Sequence, residues 1–93
     1  MDRTRFEAEL REEGYGEVAL REMPANHKNP EHAHPFDARL LILDGEMTIA
    51  CGGEERTYRA GDTFAMAAGR RHAELAGPLG VRYLAGRRHP AAS

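Results

Sequence analysis

His32 and His34 stand one residue apart in the stretch "PEHAHPFDARLLILDGEMTI" (30–49), at the mouth of the chain's most hydrophobic run. Side chains alternate along an extended segment, so the two imidazoles point to one side. Two neutral rings so placed can take adjacent positions on one metal ion. The same pair would also suit two solvated surface histidines, or one hydrogen-bonded at a barrel rim. A second stretch with chemical content is "AGDTFAMAAGRRHAE" (60–74), where a turn, a buried strand and a tight glycine loop precede His72. That strand–loop–strand unit would return a third imidazole towards the first two. Glu74 has the parity of His72 and points the same way. A carboxylate aimed at an apolar interior needs a metal, a cation or hydrogen bonds to offset its desolvation. Glu74 is assigned as an acid/base or as a partner of the ligating imidazoles rather than as a ligand, with an ion pair to Arg82 or Arg71 as the plain alternative.

Regular elements must hold these groups in place. Residues 4–13, "TRFEAELREE", form the one good helix candidate: Thr4 and Glu7 make a capping-box pattern, Phe6 and Leu10 share a face, and Gly14 and Gly16 end it. From Gly16 onward the chain reads as short strands separated by turn signals. "EVALREM" (17–23) leads into a loop at "PANHKNP", then come "EHAH" and "ARLLIL" (38–43), with a tight turn at Asp44-Gly45. Gly52-Gly53, Gly61-Asp62, Gly69 and "GPLG" (77–80) mark further turns between strands. Short strands with glycine-centred turns predict an all-β sandwich or barrel. The strand at 38–43 is apolar on both faces. Leu40 and Ile42 look into the interior, while Leu41 and Leu43 need a cover, either the N-terminal helix or a second subunit, and hence a homodimer is expected.

Bulk properties narrow the function classes. A chain of 93 residues makes one domain, and 41% apolar with 30% charged residues describes a soluble globular protein rather than a disordered one. A net charge of −2 gives no field for nucleic acid or anionic lipid, and Arg70-Arg71 and Arg87-Arg88-His89 read as solvated surface. Cys51 is the only cysteine, so no intrachain disulfide forms, and it reads as a small buried residue rather than a nucleophile. The charged start "MDRTRFEAEL" is neither signal peptide nor anchor, and the longest apolar run, 64–68, is far short of a membrane span. A soluble cytoplasmic protein is expected, with no nucleic-acid and no membrane partner. No serine precedes Ser93, which excludes a serine hydrolase, and no phosphate-binding glycine loop is present. His27 reads as a solvated loop residue and His89 as part of the tail. Tyr58 and Tyr83 sit in strands where each offers a hydroxyl or fills core, and Met47 and Met66 are core or pocket wall.

Together the stretches 30–49 and 60–76 resemble the two motifs of the cupin superfamily, and the chain looks like a small single-domain, conserved-barrel cupin. The first motif runs H-x-H, a glutamate four or five residues on, and a glycine seven residues beyond; His32, His34 and Gly45 match it. In the second motif Gly61, Gly69 and His72 match in spacing. The resemblance implies a double-stranded β-helix (jelly-roll) barrel with a short N-terminal helix: helical segment 1–15, barrel 16–86 and C-terminal tail 87–93. It also implies His32, His34 and His72 as metal ligands. The departures are specific. The metal-binding glutamate of the family falls on Ala38, the proline of the second motif on Ala67 and its asparagine on Ala76. Asp37, next to the empty position, and Glu74 are the two acids that could stand in, though Asp37 faces outward in a regular strand and reads more simply as a turn or cap residue.

Three imidazoles with open positions suit Zn, Fe, Mn, Ni or Cu. The expected function is a metal-dependent enzyme of oxygenase or isomerase type on a small organic molecule, with Glu74 moving a proton. The alternatives are a non-catalytic small-molecule-binding or sensing barrel and a degenerate barrel whose histidines are structural.

Overall fold

A computed structural model describes residues 1–89 of the chain, so residues 90–93 of the expected tail lie outside the described residues. The order of elements is α1 (Arg3–Glu12), β1 (Glu17–Met23), β2 (Lys28–His32), β3 (Asp37–Cys51), β4 (Glu54–Arg59), β5 (Thr63–Met66) and β6 (His72–Arg88). The all-β class with one short N-terminal helix is as expected. Among the described residues no helix is long and apolar enough to cross a membrane.

Helix α1 begins earlier than the capping-box pattern suggests. Asp2 is the N-cap, and its carboxylate accepts from the Arg5 N–H at 2.9 Å. This satisfies one of the first-turn backbone donors, which a Thr4 cap would leave without a partner. Glu7 instead pairs with Arg3. Phe6 and Leu10 are buried, as their spacing requires.

Two predicted turns are not chain reversals. β3 runs unbroken through Asp44-Gly45, and β6 runs unbroken through "GPLG". The pairing of these two long strands shifts register between Gly45↔Val81 and Met47↔Ala76, so residues 77–80 are extra on β6 opposite a single residue of β3. This large bulge bends the ladder instead of ending it. Gly45 has φ +74°, and a Cβ there would collide with the Gly80 carbonyl, so the bend needs glycine. Two further boundaries move. Lys28–Pro30, expected in a loop, belong to β2, and Arg87 and Arg88, expected in the tail, close β6.

The bend divides β3 and β6 between two antiparallel faces. On one, residues 81–87 of β6 pair with β1, and β3 lies between β6 and β5. On the other, β2 pairs with residues 72–75 of β6, which pair in turn with the far half of β3 and so with β4. One apolar cluster joins both faces, with Leu40, Ile42, Met47, Ile49, Val81 and Tyr83 among its members. A second, smaller cluster lies on the outer side of β3, where Phe6 and Leu10 of α1 pack with Tyr15, Leu41 and Leu84, and Leu43 rests against them. Gly86 lets the helix approach, since a Cβ there would press on Leu10 at 2.8 Å. The outward face of β3 is therefore covered by α1 within one chain.

Candidate metal centre

β2 and β6 bring the site together through their register. His32 is the direct cross-strand partner of His72, and Asn29 is the partner of Glu74. Side chains opposite one another on paired strands lie close enough to touch. Glu74 and His72 share a face because they are two apart. Asn29 and His32 are three apart and would face opposite ways, but the register shifts between them, at Pro30 and Glu31. The bulge restores a common face, and it falls where Pro30 could not have donated to the ladder anyway. His34 follows in the irregular stretch after β2 and completes the group.

The ligand atoms of His32, His34, His72 and Glu74 all lie within 4.8 Å of one another. His32 Nε2 is 3.1 Å from His34 Nε2 and 3.3 Å from Glu74 Oε1. Metal–nitrogen bonds of about 2.1 Å give edges between neighbouring ligands of about 3.0 Å at right angles and about 3.4 Å at tetrahedral angles. The observed spacings fall on that scale.

The tautomers also fit a cation. His32 Nδ1 lies 2.8 Å from the Pro30 carbonyl and His72 Nδ1 lies 2.9 Å from the Arg70 carbonyl. A carbonyl only accepts, so each Nδ1 carries the proton and donates, and in the neutral rings each Nε2 presents a lone pair. This is the arrangement that orients metal-bound histidines elsewhere in proteins. Burial first, and then the neighbouring His32 and His72, hold the pKa of His34 below the ordinary histidine value, which favours its neutral ring. Its ring stacks on Phe36 at 4.7 Å. With a lone pair on His32 Nε2, the 3.1 Å contact is a hydrogen bond donated by His34 Nε2, which turns a lone pair to the group in its other tautomer, and Asn29 Nδ2 donates to Glu74 Oε1 at 3.4 Å. Like-acting acceptors this close need a shared proton or a cation, and the donor set fits a transition-metal ion.

The two acids separate clearly. Glu74 is in the group, with its side chain 11% exposed, and neither expected arginine reaches it: Arg71 pairs with Glu31 and Arg82 with Asp44. Asp37 is committed elsewhere, accepting from the Ala68 N–H at 2.8 Å and from Arg88 at 3.0 Å. It is not a stand-in for the missing carboxylate. Ala38 does face the cavity, leaving the motif's glutamate position apolar.

The cluster lies in the wall of an open cavity of about 450 Å³, lined on its apolar side by Phe36, Leu40, Phe64 and Met66. Tyr83, Arg21 and Arg87 complete the lining. The two arginines are absent from the sequence-based candidates, although strand parity carries a signal for both: Arg21 has the parity of buried Met23, and Arg87 that of Tyr83 and Ala85. The remaining candidates are elsewhere. His27 is exposed beside Asn29, His89 pairs with Glu17, and Tyr58 stacks on Phe64. Cys51 is half-buried rather than buried and accepts from Arg70.

A family model described as "Cupin domain" matches residues 19–76, more than half the chain. No curated protein sequence matches. Among solved structures, a conserved protein of unknown function from Streptococcus pyogenes is 27% identical with a TM-score of 0.71, the match covering 81% of this chain and 65% of that one. A cupin-2 domain containing protein from Shewanella frigidimarina is 16% identical with a TM-score of 0.66, covering 78% and 69%. A protein of unknown function from Rhizobium leguminosarum is 14% identical with a TM-score of 0.74, also covering 78% and 69%. The chain spans under two thirds of the Streptococcus protein and slightly more of the other two, with which it shares the jelly-roll fold.

Proposed function

The chain belongs to the cupin family, and on that premise we propose that it is a metal-dependent barrel in which His32, His34 and His72 hold one divalent transition-metal ion, with Glu74 supplying the carboxylate that the family motif places at position 38. The observation carrying this reading is the convergence of four groups able to ligate a metal, of which the two cross-strand imidazoles are each locked, through Nδ1, with Nε2 turned inward. When bound, such an ion supplies a Lewis acid with positions open to a small molecule, the chemistry common to oxygenase and isomerase reactions. The chain's own residues do the rest. The Pro30 and Arg70 carbonyls fix ring orientation, Asn29 holds Glu74 Oε1, and Glu74 can accept or return a proton at the cavity wall. Phe36, Leu40, Phe64 and Met66 exclude water from one side. A second reading, binding without turnover, is favoured by the exposed rim at Pro30 and Glu31, which leaves the cavity open to solvent.

The deciding experiment is elemental mass spectrometry of untagged protein and of His72→Ala, each stripped and reconstituted with Zn, Fe, Mn, Ni or Cu. About one ion per chain in the native protein and almost none in the variant is the expected result. No retained ion in either protein would overturn the metal reading. Oxygen uptake or turnover by the loaded protein then separates enzyme from binding barrel.

A further inference from the structure

The acids and bases of this protein are mostly matched. Arg39 pairs with Glu9 and Glu13, Arg59 with Glu46, Arg71 with Glu31, Arg82 with Asp44 and Arg88 with Asp37. Arg11, Arg21, Arg56, Arg70 and Arg87 have no such pair among the described residues, and of these only Arg21 and Arg87 line the cavity of the metal cluster. They reach it from different strands. Arg21 is the cross-strand partner of Tyr83, and Arg87 lies on the same side of β6 as Tyr83 and Ala85. The guanidinium of Arg87 lies 4.5 Å from the centre of the Phe36 ring, which restricts where it can point.

We infer that Arg21 and Arg87, with Tyr83 opposite Arg21 on β6, form an anion subsite, and that the natural ligand is a small organic carboxylate whose apolar body lies along Leu40, Phe64 and Met66. Two guanidiniums without a carboxylate partner among the described residues can take one from a ligand, and their planar donor forks match its geometry. Tyr83 belongs to the same electrostatic neighbourhood. Its pKa is raised, chiefly by burial and then by Glu74, against a lowering by Arg21 and Arg87. Glu74, in the same lining and without an arginine partner among the described residues, repels a second negative charge, which favours a singly charged carboxylate over a doubly charged phosphate. A volume of about 450 Å³ is in the range of sites for one small organic molecule. The subsite also places charge at the end of a wall otherwise apolar, so a ligand is oriented by its two ends: carboxylate at the arginines, remainder towards the histidines.

This inference rests on reading the cavity as a small-molecule site but not on the proposed metal ion. The test uses metal-free protein, where a carboxylate cannot bind a metal instead, and failure of the subsite is read apart from failure of the metal centre. Benzoate, benzamide and phenylphosphonate serve as probes in nuclear magnetic resonance titrations of the full chain. Benzoate should shift the Arg21 and Arg87 Nε–H signals and bind on the order of tenfold more tightly than neutral benzamide. Arg21→Gln should weaken benzoate but leave benzamide unchanged. Arg87→Lys, which keeps the charge and loses the fork, should retain part of the preference, and unshifted signals elsewhere will show that both variants are folded. Benzamide binding as tightly as benzoate, or benzoate affinity untouched by Arg21→Gln, overturns the subsite. Tighter binding of phenylphosphonate overturns the carboxylate assignment.

Discussion

The two faces of β3 are both apolar, yet they have been finished in opposite ways. On the outer face Phe6, Leu10, Leu41 and Leu84 are 0–1% exposed, a small cluster sealed by the helix. On the inner face the cluster is larger but graded. Ile42, Met47 and Ala76, near the bend, are equally sealed at 0–1%, while Phe36, Leu40, Met66 and Tyr83 keep 7–9%. Those four residues line the cavity. These apolar residues face a space, and at its edge stand the histidines, Glu74 and the two arginines without an ion pair among the described residues. Protein interiors are normally filled to crystal-like density, so an apolar wall facing a cavity is the place where the proposed ligand site is to be tested. The outer cluster is closed by the helix, and the inner one borders a cavity.

The sharpest test of that contrast lies in two adjacent residues. Leu41→Ala removes a sealed side chain and should cost about 2–5 kcal/mol, the usual range for a leucine deletion that leaves a void. Leu40→Ala enlarges a space already present and should fall at the bottom of that range, about 2 kcal/mol or less. Urea unfolding of both variants reads the difference, and equal losses would break the distinction between the faces. Metal bound per folded chain should be unchanged in Leu41→Ala.

The next effect concerns the position of the carboxylate. Glu74→Gln should weaken metal binding about 10–100-fold, measured by competition with a chelating dye. Adding Ala38→Glu to that variant returns a carboxylate to the position given by the family motif, on a residue that faces the same cavity, and should recover much of the affinity. No change in Glu74→Gln would remove Glu74 from the site.

The smallest effect is expected on the outer rim. The Ala68 N–H, and then Arg88, hold the Asp37 carboxyl below its usual pKa. A depressed carboxyl stabilises the fold at pH values above its unfolded pKa, and that contribution fades as pH falls through the lower folded value. Thermal unfolding between pH 6 and about 3 should therefore show a shallower acid-side decline in Asp37→Asn than in the native chain. Metal binding should be unaffected, because neither Asp37 oxygen faces the histidines.

Much of this was legible in the residues themselves. The helix face at Phe6 and Leu10, the two-sided strand at 38–43, the turn at Gly52-Gly53 and the shared side of His32 and His34 follow from spacing and parity, which are local properties, while the cupin resemblance is what joins His72 to them. The bend was misread because Asp44-Gly45 and "GPLG" carry the residues of a turn. Local chemistry that permits a reversal also permits a bulge, and only the pairing of β3 with β6 selects between them. Arg87 was missed for a related reason: its parity is inward, but that matters only if β6 continues past Gly86.

By itself, then, the sequence determined the all-β class, the apolar faces and the side towards which His72 and Glu74 point, because strand alternation and glycine-marked turns act over a few residues. The tertiary structure decided which of the two faces was closed by the helix, that Glu74 rather than Asp37 joins the imidazoles, and that two arginines look into the same space. Each of those depends on register between strands far apart in the chain, at Asn29↔Glu74, His32↔His72 and Arg21↔Tyr83. Cross-strand register is fixed by the packing of the whole sheet, and a one-residue slip would send every one of these side chains to the other side.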